Sequence, residues 1–186
     1  MNRFDLVWLA VLGGISALLL VPFTHQHFVA MTTAHPYFMG FVKFAVMATM
    51  GELLAIRIVT GRWNQPVGMF YKAILWGVFG MMIVLAFGIF SSGVAASIKS
   101  GLLYGGGGAL QPLITAFFIS FSMNASFGPA FMAVHRMTDT YIDMRAEGAR
   151  PDLATVIARV DWTGFIHFVV AKTCPYFWIP AHTATF

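Results

Sequence analysis

Five stretches of the chain are long and apolar enough for a helix to cross roughly 30 Å of hydrocarbon, which takes about 20 residues. They lie at about 4–23, 37–58, 70–90, 110–134 and 162–180. This single feature decides the fold class. A chain of 186 residues with five such runs has too little polar sequence to cover a soluble surface. Composition agrees: 59% of residues are hydrophobic and 10% charged, where soluble domains carry roughly 25% charged residues. The expected architecture is all-α, a polytopic transmembrane helical bundle in a single domain.

The ends of the runs carry their own signals. The first closes at Pro22 before the polar Thr24, His25, Gln26 and His27, so residues 24–36 read as a link. His35-Pro36 opens the second, and Ser91-Ser92-Gly93 closes the third. Gly105 to Gly108 read as a turn, since each glycine costs about 1 kcal/mol against alanine in a helix. Residues 135–161 have ordinary soluble composition and are expected to form a cytoplasmic loop. Within it, Pro151-Asp152 can start a short helix with Leu153, Val156, Ile157 and Val160 on one face, suited to a membrane surface.

Basic residues alternate in step with these spans. Arg3, then Arg57, Arg62 and Lys72, then Arg136, Arg145, Arg150 and Arg159 fall on one side, and Lys99 alone on the other. The positive-inside rule places the N-terminus in the cytoplasm and the C-terminus outside. A bacterial plasma membrane is the expected location. The net charge of +4 has the same origin, because the basic residues form no run of the kind that binds nucleic acid. The expected partners are membrane lipids, further copies of the chain or a larger membrane complex. The final residues, 181–186, are too few for a sixth crossing, and the chain is expected to stop short of its natural C-terminus.

Ionisable and amide groups within the spans are the candidate functional residues, because each ionised one costs at least about 2.5–3.5 kcal/mol to insert. Counting depth along the helices at about 1.5 Å per residue puts Glu52, Asn124 and His167 in one layer, on three different helices. Lys172 falls near the midplane and calls for a partner such as Glu52 or a wet cavity. Lys43 lies closer to the outer surface, within reach of it by snorkelling. Such a layer fits a polar constriction in a permeation path, and equally the interhelical hydrogen bonds that hold a bundle together. Small residues are expected at close helix contacts: Ala10, Gly13, Gly14 and Ala17; Ala48, Gly51 and Ala55; Gly77 and Gly80.

Other chemistry finds no support. The single cysteine, Cys174, excludes an intrachain disulfide and any multi-cysteine cluster. His25, His27 and His35 match no zinc spacing, and His167 is the one histidine deep in a span, too few for haem. No nucleophile–base pair or carboxylate pair is apparent. Neither enzyme activity nor a cofactor is expected. Two functional classes remain: a channel-like bundle passing small solutes, and a non-catalytic accessory subunit of a larger membrane complex.

His35-Pro36 followed by an apolar span reaching Gly51-Glu52, together with Phe177-Trp178-Ile179-Pro180-Ala181-His182 near the end, resembles the Mpv–PMP family of small mitochondrial and peroxisomal membrane proteins. The resemblance covers about residues 34–182. In that family a His-Pro pair precedes a span ending near Gly-Asp, and an aromatic span ends at Val-Pro. This chain departs where the family has Trp-Pro, then Gln, then Asn-Phe, offering Phe168-Val169, Lys172 and Pro175-Tyr176. It also has an added first span and lacks the last. The resemblance implies a helical bundle with channel-like permeation and no cofactor, and carries over Glu52 alone as a functional position.

Overall fold

A computed structural model describes residues 3–186 and is all-α, with no strand among the described residues. The helices are α1 (Arg3–Leu20), α2 (Pro22–Ala34), α3 (Pro36–Thr60), α4 (Met69–Lys99), α5 (Gln111–Ala146), α6 (Leu153–Arg159), α7 (Trp162–Gly164) and α8 (Ile179–Thr185). A 3-10 turn, Gly108–Leu110, precedes α5, and a π-helix, Phe165–Trp178, joins α7 to α8 in one continuous last helix, Trp162–Thr185. Four helical stretches are long and apolar enough to cross a membrane: α1, α3, α4 and α5 with its leading turn. A fifth is reached if α6 and the last helix, bent by 63°, count as one broken span.

The helix boundaries follow from prolines and glycines. Val21 and His35 are pushed out of helical geometry by the prolines after them, and Pro22 and Pro36 each open a new helix, where a missing N–H costs nothing. The expected link at 24–36 is therefore mostly helix. Its polar side chains turn back on the backbone: Nδ1 of His25 meets the Leu19 carbonyl, Nδ1 of His27 that of Phe23, and Thr33 donates to Val29. At the other end of α3, Gly61 takes a left-handed φ of 71° and its N–H returns to the Arg57 carbonyl.

Two helices outrun their apolar stretches. α4 continues past Ser91-Ser92-Gly93 to Lys99, with the Ser97 hydroxyl donating to the Gly93 carbonyl. α5 has 36 residues, about 54 Å at the helical rise. It thus takes in 135–146, the first half of the expected loop, where His135 and Asp139 stand one turn apart at 3.8 Å. Hydropathy ends at the membrane boundary, but helical propensity does not, and a helix longer than the bilayer simply leaves it. The short helix started by Asp152 forms as expected, its carboxylate accepting from the Thr155 amide and hydroxyl. Those bonds hold the Asp152 carboxyl below its ordinary range. Of the proposed apolar face, Val156 and Val160 are buried, while Leu153 and Ile157 stay exposed.

The chain divides into an N-terminal unit, Met1–Val84, and a C-terminal unit, Leu85–Phe186, with the boundary inside α4. In the N-terminal unit α3 and α4 meet backbone to backbone. A Cβ at Gly80 would strike the Gly40 carbonyl oxygen, and one at Gly77 would enter the Phe41 ring. The expected close contact at Gly77 and Gly80 is present. At Gly13, Gly14 and Gly51 a Cβ would meet nothing within 4 Å, so these glycines form no such contact. In the C-terminal unit the last helix packs along α5, and Phe165, Val169 and Cys174 are buried beside Met132 and Ala133.

Candidate functional site

Both carboxylates of the N-terminal unit, Asp5 and Glu52, are held in internal ion pairs. Arg57 grips Asp5 through Nε to Oδ1 at 2.9 Å and Nη2 to Oδ2 at 3.2 Å, and the Trp63 indole donates to Oδ1 at 2.6 Å. Glu52 lies 3.4 Å from Nζ of Lys72, whose side chain is buried. Lys43 is half-buried with its ammonium 5.5 Å from the centre of the Phe28 ring, a cation–π contact. Within its unit the partner of Glu52 is Lys72.

In the C-terminal unit the buried polar groups are neutral. Ser120 is fully buried and donates to the Ile179 carbonyl at 2.8 Å. The Asn124 amide donates to the Ser120 carbonyl at 2.8 Å and meets Nδ1 of His182 at 3.0 Å. Because the amide nitrogen is a donor, Nδ1 accepts, and the imidazole proton sits on Nε2. The ring is flanked by Phe87 and Trp178. Asn124 therefore does reach the last helix, through His182 rather than His167. These bonds stay within the protein, which marks the group as the join between α5 and the last helix.

His167 and Lys172 are both exposed. Their placement follows from the winding of the last helix. Over Phe165–Trp178 each turn takes between four and five residues, since the bonds run five residues back, as Ile179 N–H to the Cys174 carbonyl does. A side chain reports the same geometry: the Thr173 hydroxyl bonds the carbonyl five residues earlier, Phe168, whereas Thr49, Ser97, Thr115 and Ser126 each bond four residues back. With this winding the buried set Phe165, Val169 and Cys174, spaced by four and five, shares one face. In an α-helix Cys174 would stand about 180° from Phe165.

The same winding aligns the polar residues. Thr163, His167, Lys172 and Tyr176, spaced by four, five and four, form a stripe opposite the packed face, and all four are exposed, Tyr176 by 81%. In an α-helix His167 and Lys172 would be about 140° apart. Exposed apolar residues, Ile166, Phe168 and Phe177, border the stripe. Among the described residues no carboxylate pairs with Lys172. The site is thus a cationic, hydroxyl-bearing line on an apolar helix.

Depth counting alone does not show this. It fixes height along a helix but not direction around it, and it assumes 3.6 residues per turn, which the π segment abandons. Tyr176 and His182 escape a sequence reading for the same reason, although the spacing of five and four from His167 through Lys172 to Tyr176 is a signal that could have found the stripe.

The chain matches no model of a known protein family, no curated protein and no solved structure.

Proposed function

We propose that this is an integral membrane protein that passes small anions along a path lined by the last helix and completed by further copies of the chain. The observation that carries the reading is the exposed stripe Thr163, His167, Lys172 and Tyr176. A lysine exposed near the middle of an apolar helix is costly in lipid and calls for a counter-charge or water. One carboxylate on a neighbour would serve Lys172 alone. Polar groups at each turn, over a length of up to about 20 Å, suit a wetted lining instead.

The charge of such a path follows from what a second copy can bring. The carboxylates of the N-terminal unit, Asp5 and Glu52, are engaged with Arg57 and Lys72. The remaining acidic residues lie between 139 and 161, away from the stripe in sequence, and Asp161 at its near end already accepts the Gly164 N–H. A path built from copies stays positive, and rings of cationic side chains favour anions. The resemblance to the Mpv–PMP family supports channel-like permeation of small solutes. The excess of basic residues near one set of span ends favours a bacterial plasma membrane with the N-terminus inside. A cysteine at Arg150 should then be shielded from external thiol reagents in whole cells and one at Thr33 labelled.

Flux from proteoliposomes tests the reading. The protein should raise chloride and phosphate efflux well above empty vesicles, and Lys172→Gln should lower it about tenfold, while Lys172→Glu shifts selectivity toward cations. Parent protein that leaves permeability unchanged ends the proposal. A photo-crosslinker at Tyr176 that captures a different membrane protein, in place of a second copy, would establish the accessory-subunit reading, with Lys172 paired to a carboxylate of that partner.

A further inference from the structure

The N-terminal unit contains a groove of about 370 Å³ that the permeation reading does not use. Its lining is mostly apolar, including Val7, Val11, Met50 and Leu53, and the indoles of Trp8 and Trp63. Both indoles are fixed by hydrogen bonds, Trp8 Nε1 to the Met50 carbonyl at 3.2 Å and Trp63 Nε1 to Asp5 at 2.6 Å. The exposed residues Asn64 and Gln65 add the polar part of the lining. Arg62 directly precedes Trp63, and Arg3 directly precedes Phe4, which also lines the groove.

We infer that this groove binds one anionic phospholipid, the acyl chain on the apolar lining and the phosphate at Asn64 and Gln65 with Arg3 and Arg62. The charges select the occupant. The unit holds two carboxylates, and both are taken by cations of the unit, Asp5 by Arg57 and Glu52 by Lys72. Among the described residues no carboxylate meets Arg3 or Arg62, and both are exposed. The Arg3 guanidinium lies 5.0 Å from the centre of the Phe4 ring, and Phe4 lines the groove. Two exposed cations on residues that adjoin the lining in sequence, with amide side chains and an apolar lining, match a negatively charged headgroup joined to an acyl chain. A soluble anion would use the charged groups and leave the apolar lining empty. Basic side chains near a membrane surface attract anionic lipid, and the fixed groove turns that general attraction into a site.

The inference rests on the membrane placement proposed above but not on anion permeation, and its readout is independent of flux. The full chain is reconstituted in phosphatidylcholine containing a fixed fraction of either acyl-brominated phosphatidylglycerol or acyl-brominated phosphatidylcholine. Bromine quenches indole fluorescence on contact, so Trp8 and Trp63 report occupancy. Brominated phosphatidylglycerol should quench more strongly at equal mole fraction, the excess falling in Trp8→Phe. Arg3→Gln with Arg62→Gln should abolish the excess, and Arg3→Lys with Arg62→Lys should keep it, which guards against a folding defect in the first pair. Equal quenching by the two lipids, or an excess that survives the double glutamine variant, overturns the inference. Loss of the excess on adding inorganic phosphate would also overturn it, because the site would then be one for a free anion.

Discussion

The N-terminal unit and the last helix of the C-terminal unit both carry ionised side chains on apolar helices, and they treat them in opposite ways. In the first, each carboxylate meets a cation from another helix: Asp5 with Arg57, Glu52 with Lys72. In the second, the charge is left outside. Neutral groups, Ser120, Asn124 and His182, join the helices, while Lys172 and His167 face away from the packed side. A paired buried charge contributes to holding helices together and is costly to break. An exposed one on the same kind of helix contributes nothing to the fold of a single chain, so its cost must be met by water or by another molecule. The contrast separates charges that hold the protein together from a charge that its fold does not use.

The largest effect should come from breaking a pair in the N-terminal unit. Glu52→Leu removes the carboxylate beside Lys72, whose side chain is buried. Removing one partner of a buried pair costs about 3–5 kcal/mol, and the quarter-exposed Glu52 side chain places this case at about 3 kcal/mol. Thermal unfolding in detergent should show a clear drop in midpoint, smaller for Glu52→Gln, which keeps an oxygen for the ammonium. A Glu52→Leu midpoint equal to the parent's would erase the contrast between the two regions, because the pair would then be as dispensable as the stripe.

A smaller effect should follow from Gly80→Ala. The added methyl would meet the Gly40 carbonyl and the Phe44 Cβ, forcing α3 and α4 apart at about 2 kcal/mol, within the usual range for overpacking. Gly13→Ala is the control in the same unit: nothing lies within 4 Å, and alanine should be neutral or slightly stabilising through helix propensity. Equal midpoints for the two variants would show that the α3–α4 approach is looser than the backbone contact indicates.

How far these features can be read from sequence depends on which physical quantity sets them. The apolar spans are set by hydrophobic composition over about 20 residues, and α1, α3, α4 and α5 cover the first four of them. Helix ends outside the apolar runs, such as Ala34 and Ala146, are set by prolines and by helical propensity, which a hydropathy reading ignores. The identity of a buried partner is set by rotation about the helix axis. Lys72 lies near the start of α4, where it counts among the interfacial basic residues, yet it reaches Glu52. Asn124 and its need for a partner were legible, but the choice of His182 over His167 required the π winding. A glycine's role, too, depends on what faces it: Gly51 and Gly80 look alike in sequence, and of the two Gly80 alone has a backbone against it.

The smallest effect on stability, and the one that sharpens the comparison most, is expected at Lys172. Its side chain is exposed on the stripe, has no carboxylate partner among the described residues, and stands opposite the face that packs on α5. Replacing it with glutamine removes no contact that holds the last helix, so the unfolding midpoint in detergent should shift by no more than about 0.5 kcal/mol allows, the ordinary range for surface substitutions. Val169→Ala, three residues before Lys172 on the packed face, is the matched control. It removes buried methyl groups beside Met132 and Ala133 and should cost clearly more, about 1–3 kcal/mol. If Lys172→Gln instead destabilises as much as Val169→Ala, then the ammonium is engaged within the chain, the stripe is part of the core, and the proposed permeation path loses its wall. If stability is unchanged while anion flux falls, the same side chain will have been shown to contribute to function and not to folding, the reverse of Glu52.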